Sequence, residues 1–233
     1  QKIASNLYDH GINAWIASRE GTPREAGLSD KIHWFTGVEL TACRGFAKNF
    51  KLMLTQKGSL FQQQVPAIVL AEDDDRSPNY ASYGLKANPR VLSISSLEEK
   101  IHQASAQGLF DDGDRVVFLN GWRDDSHPVI ARRMITCCHY LQSRSPASTY
   151  FLTGNLKVAA NRAETLVQSA KRSGAIFLKF TRDYPTIQML SEDCFEIAYK
   201  DELTHTPFRL RADWIIVDEA IGPGRHLYAL ARG

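Results

Sequence analysis

The constraint that narrows the fold most begins at Arg115, where short β-branched or aromatic runs alternate with longer stretches of helical period. "RVVFLNG" (115–121), "STYFLTG" (148–154) and "AIFLKF" (175–180) carry little or no polar face. Each of these runs reads as a strand. After the first run Pro128 opens a segment with Ile130, Met134, Cys137 and Leu141 on one helical face. After the second, Asn161 and Glu164 suit a helix start, Ala163, Leu166, Val167 and Ala170 form a stripe, and Gly174 ends it. Strand and helix in alternation predict a largely parallel α/β sheet with crossover helices.

The first half carries the same signals with an interruption. Ile3, Ala4 and Leu7 share a helical face, Gly11 fits a C-terminal cap, and "INAWIAS" (12–18) reads as a buried strand. This is the helix-strand half of a βαβ unit, and the expected first strand with its glycine turn would precede Gln1. Four short runs within 31–71 predict an antiparallel insert, and an acidic loop follows at 72–90. Ser96 with Glu99 forms a capping-box signature for a helix to about Gln107. "GLFDDGD" (108–114) reads as the boundary between two domains, 1–113 and 114–233. The last part, 186–220, predicts a β-meander ending in the strand "WIIVDEA".

Charge and cysteine content exclude several classes. The 28 basic and 26 acidic residues leave a net charge of +2, too near balance to mark a nucleic-acid or anionic-membrane partner. Four cysteines without Cys-x-x-Cys spacing argue against a disulfide framework, structural zinc or an iron–sulfur cluster, and point to a reducing, cytoplasmic setting. No apolar run has the length of a membrane span. The seven histidines are scattered and no Gly-x-Ser-x-Gly elbow occurs, so hydrolase readings find no support.

Two stretches carry candidate chemistry. "NGWRDDSHP" (120–128) occupies a strand-to-helix corner of the type that binds dinucleotide phosphates, with Asn120, Gly121 and Arg123 as its candidate contacts. One glycine rather than three, and Asp124 with Asp125, favour a plain turn in which Ser126 caps the helix. Cys137 and Cys138 are adjacent, with Arg132, Arg133 and His139 close in sequence, so they are candidate redox thiols. Their position beside the apolar helix face favours a buried structural role.

The order of these segments resembles the flavin-containing A subunit of heterodisulfide reductase and its relatives among the flavoproteins with two dinucleotide-binding domains. "ASNLYDHGINAWIASRE", "IHWFTGVELTACRGFAKNFKLMLTQ" and "NYASYGLKANPRVLSISSLEEKI" are similar to that family's helix and second strand, insert and linker. "VVFLNGWRDD" with Cys137-Cys138 resembles its "vvFIqCVGSRD…CSRVCC", and "ADWIIVDEAIGP" its "ADLVVLATGMVP". The resemblance implies two Rossmann-like three-layer α/β domains with antiparallel insertions, the first lacking its first strand. It also implies FAD, a redox reaction, and partner subunits or domains of an electron-transfer complex.

The departures weigh against that chemistry. Ser18, followed by Arg19 and Glu20, stands where the family has an acid for the ribose hydroxyls. The two Ala-Thr-Gly signatures read Ala71-Glu72-Asp73 and Asp218-Glu219-Ala220. Unless neutralised, each added carboxylate beside a pyrophosphate costs on the order of 1 kcal/mol. Asn120 replaces the family's first cysteine, and the cysteine of "CSRV" is missing from "ARRMIT". Two expectations follow: a divergent module with a degenerate cofactor site and a scaffold or assembly role, or an active FAD-binding oxidoreductase component using Glu219 among its contacts.

Overall fold

A computed structural model describes residues 2–19, 32–71, 75–104, 108–156, 163–180 and 183–222. It divides into two compact units, 1–74 with 223–233 and Asp75–Gly222.

In the first unit, helix α1 (Lys2–Asp9) is ended by Gly11 at φ +75°, and the Ile12 N–H returns to the Leu7 carbonyl at 2.9 Å. That is the left-handed glycine cap the sequence predicts. Strand β1 (Trp15–Ser18) follows and pairs parallel with β2 (His33–Thr36). The run "KIHWFTG" thus joins β1, while the antiparallel insert consists of β3 (Val38–Phe46), β4 (Asn49–Gln56) and β5 (Ser59–Val65). Lys57 and Gly58, both at positive φ, form the two-residue turn between β4 and β5.

The second unit follows the alternating pattern. Strand β6 (Asp75–Pro78) and a 3₁₀ turn (Tyr80–Tyr83) lie inside the segment expected to be a loop. Then come β7 (Val91–Ser93), α2 (Ile94–Ala104), β8 (Arg115–Asn120), α3 (Pro128–Arg144), β9 (Ser148–Thr153), α4 (Ala163–Arg172) and β10 (Ile176–Lys179). A meander of β11 (Thr186–Ser191), β12 (Cys194–Lys200) and β13 (Pro207–Ala212) leads into β14 (Trp214–Val217) and β15 (Glu219–Gly222). Five of these strands form a wholly parallel sheet in the order β10-β9-β8-β14-β7. Strand β15 pairs antiparallel with β6 in a separate ribbon.

Side chains alternate across the sheet as a two-residue period demands. Val116, Phe118, Trp214 and Ile216 face the layer that contains Ile94, Leu97, Ile130, Met134 and Leu141 of α2 and α3. Val117, Leu119, Ile215 and Val217 face Phe195, Ile197 and Tyr199 of the meander. Helices, parallel sheet and antiparallel meander are therefore three layers with two cores.

The units divide at Asp75, whereas the sequence reading draws its boundary at 113/114. Glycine and acidic residues make "GLFDDGD" look like a linker, but Phe110 is buried edge-on to Trp214, and Asp114 accepts the Trp214 Nε1–H at 2.9 Å. The segment is a turn packed against the end of the parallel sheet, and β7 and α2 belong to the second unit. Among the described residues no helix is long and apolar enough to cross a membrane.

Candidate functional site

In an open parallel sheet, ligands bind outside the carboxyl ends of the strands, where the connections diverge. Here that place is between β8 and β14. Strand β8 leads through α3 to β9 on one side, while β14 enters on the other from the meander. The residues that end these strands are Asn120-Gly121-Trp122 and Asp218-Glu219.

Asp218, 1% exposed, fills the crevice. Its Oδ2 accepts the Gly121 N–H at 2.9 Å, and its Oδ1 accepts the Tyr83 hydroxyl at 2.8 Å and the Asn79 Nδ2–H at 2.9 Å. Burial, reinforced by the neighbouring carboxylate, pushes the Tyr83 phenol well above its usual pKa, so it stays a donor. Gly121 has φ +63°, and a Cβ there would stand 3.0 Å from the Ser126 nitrogen. The space that a phosphate-binding glycine keeps open for its ligand is closed here by the loop's own backbone.

The start of α3 is spent in the same way. Pro128 has no N–H, His127 Nδ1 accepts the Val129 N–H at 3.3 Å, and the His127 carbonyl accepts the Ala131 N–H at 2.9 Å. His127 is thus the cap, a correction to the expectation for Ser126, whose buried Oγ has no protein partner. The imidazole wins because it sits directly before the proline and reaches the second amide of the helix. Beside this corner the ring of Trp122 lies 4.8 Å from Tyr83 and 6.2 Å from Phe180. Phe180 in turn covers Gly154 at the end of β9, where a Cβ would come within 2.8 Å of the ring. A ribose-binding acid belongs at that strand end in a dinucleotide site, and Thr153-Gly154 under an aromatic ring is no substitute. The residues of this corner therefore do not fit a dinucleotide.

Glu219, 2% exposed, turns the other way. Its Oε1 accepts the Ser95 N–H at 3.0 Å, and its Oε2 accepts the Ser95 Oγ–H at 2.8 Å and Arg133 Nη1–H at 3.3 Å. Arg133 also donates through Nε to Glu98 Oε1 at 3.0 Å, through Nη2 to Glu98 Oε2, and to Ser95 Oγ at 3.0 Å. Burial alone would raise the Glu219 pKa. The hydroxyls of Ser93 and Ser95, the Ser95 amide and Arg133 outweigh it and hold the carboxyl below its ordinary value. The carboxylate expected to repel a cofactor is neutralised internally.

Of the remaining candidates, Arg123 is exposed at the corner, and Asn120 is buried with its Nδ2 donating to Thr153 Oγ1 at 3.3 Å. Ser18 and Arg19 belong to the first unit. Ser18 ends β1 opposite Thr36, and the Arg19 guanidinium pairs with Glu39. Glu20, Glu72 and Asp73 lie outside the described residues. Asn79, Tyr83, Ser95 and Glu98 escaped the sequence reading, because nothing in their local spacing marks a partner more than a hundred residues away or on another helix.

Cys137 and Cys138 are both buried. Burial pushes each thiol up to about 12, the nearby Glu98 carboxylate adding to it for Cys137, and Cys138 Sγ lies 3.4 Å from Thr149 Oγ1. Neither carries appreciable thiolate near neutrality. A disulfide reagent applied to the native protein is expected to modify exposed Cys43 first, and to reach Cys137 and Cys138 only after denaturation. Their modification at the rate of Cys43 would show that the helix layer opens. Among the described residues no group of three metal-binding side chains occurs.

The second unit is thus a three-layer α/β domain of dinucleotide-binding topology with its ligand corner filled by its own side chains. No protein-family model matches the chain, and no curated protein does. Similar solved structures include thioredoxin reductase of T. acidophilum, at 11% identity and TM-score 0.46, covering 100% of this chain and 62% of that one. The FAD-bound cadaverine monooxygenase DfoA of Erwinia amylovora is similar at 9% identity and TM-score 0.45, covering 86% and 56%. A pyridine nucleotide-disulfide family oxidoreductase from Enterococcus faecalis V583 is similar at 9% identity and TM-score 0.40, covering 97% and 50%. The chain spans about half to three-fifths of the length of these proteins. The fold class rests on the strand order and layering described above.

Proposed function

We propose that this chain is a divergent module of a heterodisulfide reductase A-like redox protein whose second dinucleotide corner has become internal structure. Its role is that of a scaffold among the subunits or domains of an electron-transfer complex. One observation carries the reading: the Gly121 amide, which a dinucleotide turn offers to phosphate, is held at 2.9 Å by the carboxylate of Asp218. A phosphate entering there meets a buried negative charge in place of a free donor.

The purified chain is expected to be colourless, to release no flavin on denaturation, and to show no saturable quenching of tryptophan fluorescence by NADH or NADPH. Trp122, in the corner itself, makes that fluorescence a local reporter. Saturable nicotinamide-nucleotide binding would overturn the reading. Stoichiometric flavin would favour the alternative, an FAD-binding oxidoreductase component that passes electrons to partner iron–sulfur or thiol carriers.

A further inference from the structure

Glu219 is nearly inaccessible to water, and both its oxygens are engaged, by the Ser95 amide and hydroxyl and the Arg133 guanidinium, with the Ser93 hydroxyl also stabilising its charge. The donors come from segments remote in sequence from it. Ser95 sits in the first turn of the 11-residue helix α2, whose amides and dipole favour an anion, and Arg133 comes from α3. Glu98 grips Arg133 through Nε and Nη2, which leaves Nη1 directed at Glu219. The receptor is therefore fixed by contacts that do not involve its occupant.

We propose that the first turn of α2, the Ser95 hydroxyl and the Arg133 guanidinium form a carboxylate-binding site, which the chain fills in cis with Glu219. Glu219 is the first residue of β15, opposite Pro78 of β6. Both crossings of the chain into and out of the second unit, at Asp75 and Gly222, lie on this β6/β15 ribbon. The carboxylate thus anchors the root of the ribbon to two helices. This inference stands apart from the cofactor reading, because none of its donors lies in the 120–128 turn on which that reading rests.

The test is chemical rescue in the full chain. Glu219→Ala removes the occupant and leaves its donors. Formate at constant ionic strength, balanced with chloride, is expected to raise the melting temperature of Glu219→Ala saturably. The rise is about 2–4 °C when formate is roughly five-fold above its dissociation constant. Wild type and Glu219→Gln, whose side chains fill the site, are expected not to respond. A response in Glu219→Ala no larger than in wild type overturns the proposal, as does an equal response in Glu219→Gln. A rise with phosphate but none with formate overturns the assignment to carboxylates. If Glu219→Ala does not accumulate folded, the comparison is read as folded protein recovered on refolding in formate against chloride. Equal recovery overturns the site.

Discussion

Asp218→Ala is expected to remove about 2–4 kcal/mol of folding stability, taking roughly 1–3 kcal/mol for the buried Gly121 amide it orphans and less for two donors that keep a poorer partner or reach water. The donors are the Gly121 amide, the Tyr83 hydroxyl and the Asn79 side-chain amide, all within 2.9 Å of the carboxylate. Tyr83 is buried and its phenol is held protonated, so without Asp218 it keeps only the Leu119 carbonyl, at 3.2 Å, while half-buried Asn79 can turn to water. Asp218→Asn keeps one acceptor and sets an amide donor against another donor, so its loss should fall between wild type and alanine. Urea unfolding followed by circular dichroism measures both, with the midpoint falling and the slope unchanged. A loss below about 1 kcal/mol for alanine would mean that the three donors find other partners, and would remove Asp218 from the centre of the corner.

That prediction also explains why an acidic pair can stand where a cofactor-binding family has alanine and threonine. From sequence, Asp218 and Glu219 are two unneutralised charges in a phosphate site. In the structure Asp218 lies between β14 and β15, where the chain passes from the parallel sheet to the ribbon, and the two side chains reach different partners. Asp218 faces the β8 turn and Tyr83, and Glu219 faces α2 and α3. Each meets its own set of donors. The acidic pair thus supplies two internal anchors, one in each direction.

What the sequence makes legible is what repeats locally. The parallel strands declare themselves by apolar runs, α3 by Pro128 and the stripe through Ile130, Met134 and Leu141, and the turn after α1 by Gly11. Features decided by remote partners do not. The capping box at Ser96 and Glu99 is a sound local pattern, yet α2 begins at Ile94, and the Ser93 hydroxyl accepts the Ser96 N–H at 3.2 Å. The helix begins three residues earlier than that box places it, with the Ser93 hydroxyl as a cap and the Ser95 amide taken by Glu219, 124 positions away. Likewise β6 lies in an acidic, proline-bearing segment with no strand propensity. It is a strand because β15 pairs with it.

Arg133→Met is expected to cost about 3–5 kcal/mol at neutral pH, because it leaves a buried carboxylate without its cation while keeping the side chain's volume. The guanidinium is 17% exposed and serves two carboxylates, Glu219 at 2% and Glu98 at 30%, so solvent replaces little of what is lost. The pH dependence separates charge from packing. In wild type the Glu219 pKa lies below its usual value near 4.5. Its contribution to stability is therefore complete above that value and is lost as pH falls through the folded-state pKa. In Arg133→Met the remaining influence of burial favours the protonated acid, so the penalty is greatest where Glu219 is ionised and fades as it takes up its proton. The stability gap between the two proteins should be widest near pH 7 and should narrow as pH falls into the carboxylate range. Denaturant titrations at a series of pH values measure that gap. A gap of constant size from pH 7 to pH 4 would mean that Arg133 acts through its aliphatic stem alone, and that the Glu219 charge is compensated by Ser93, Ser95 and the helix end.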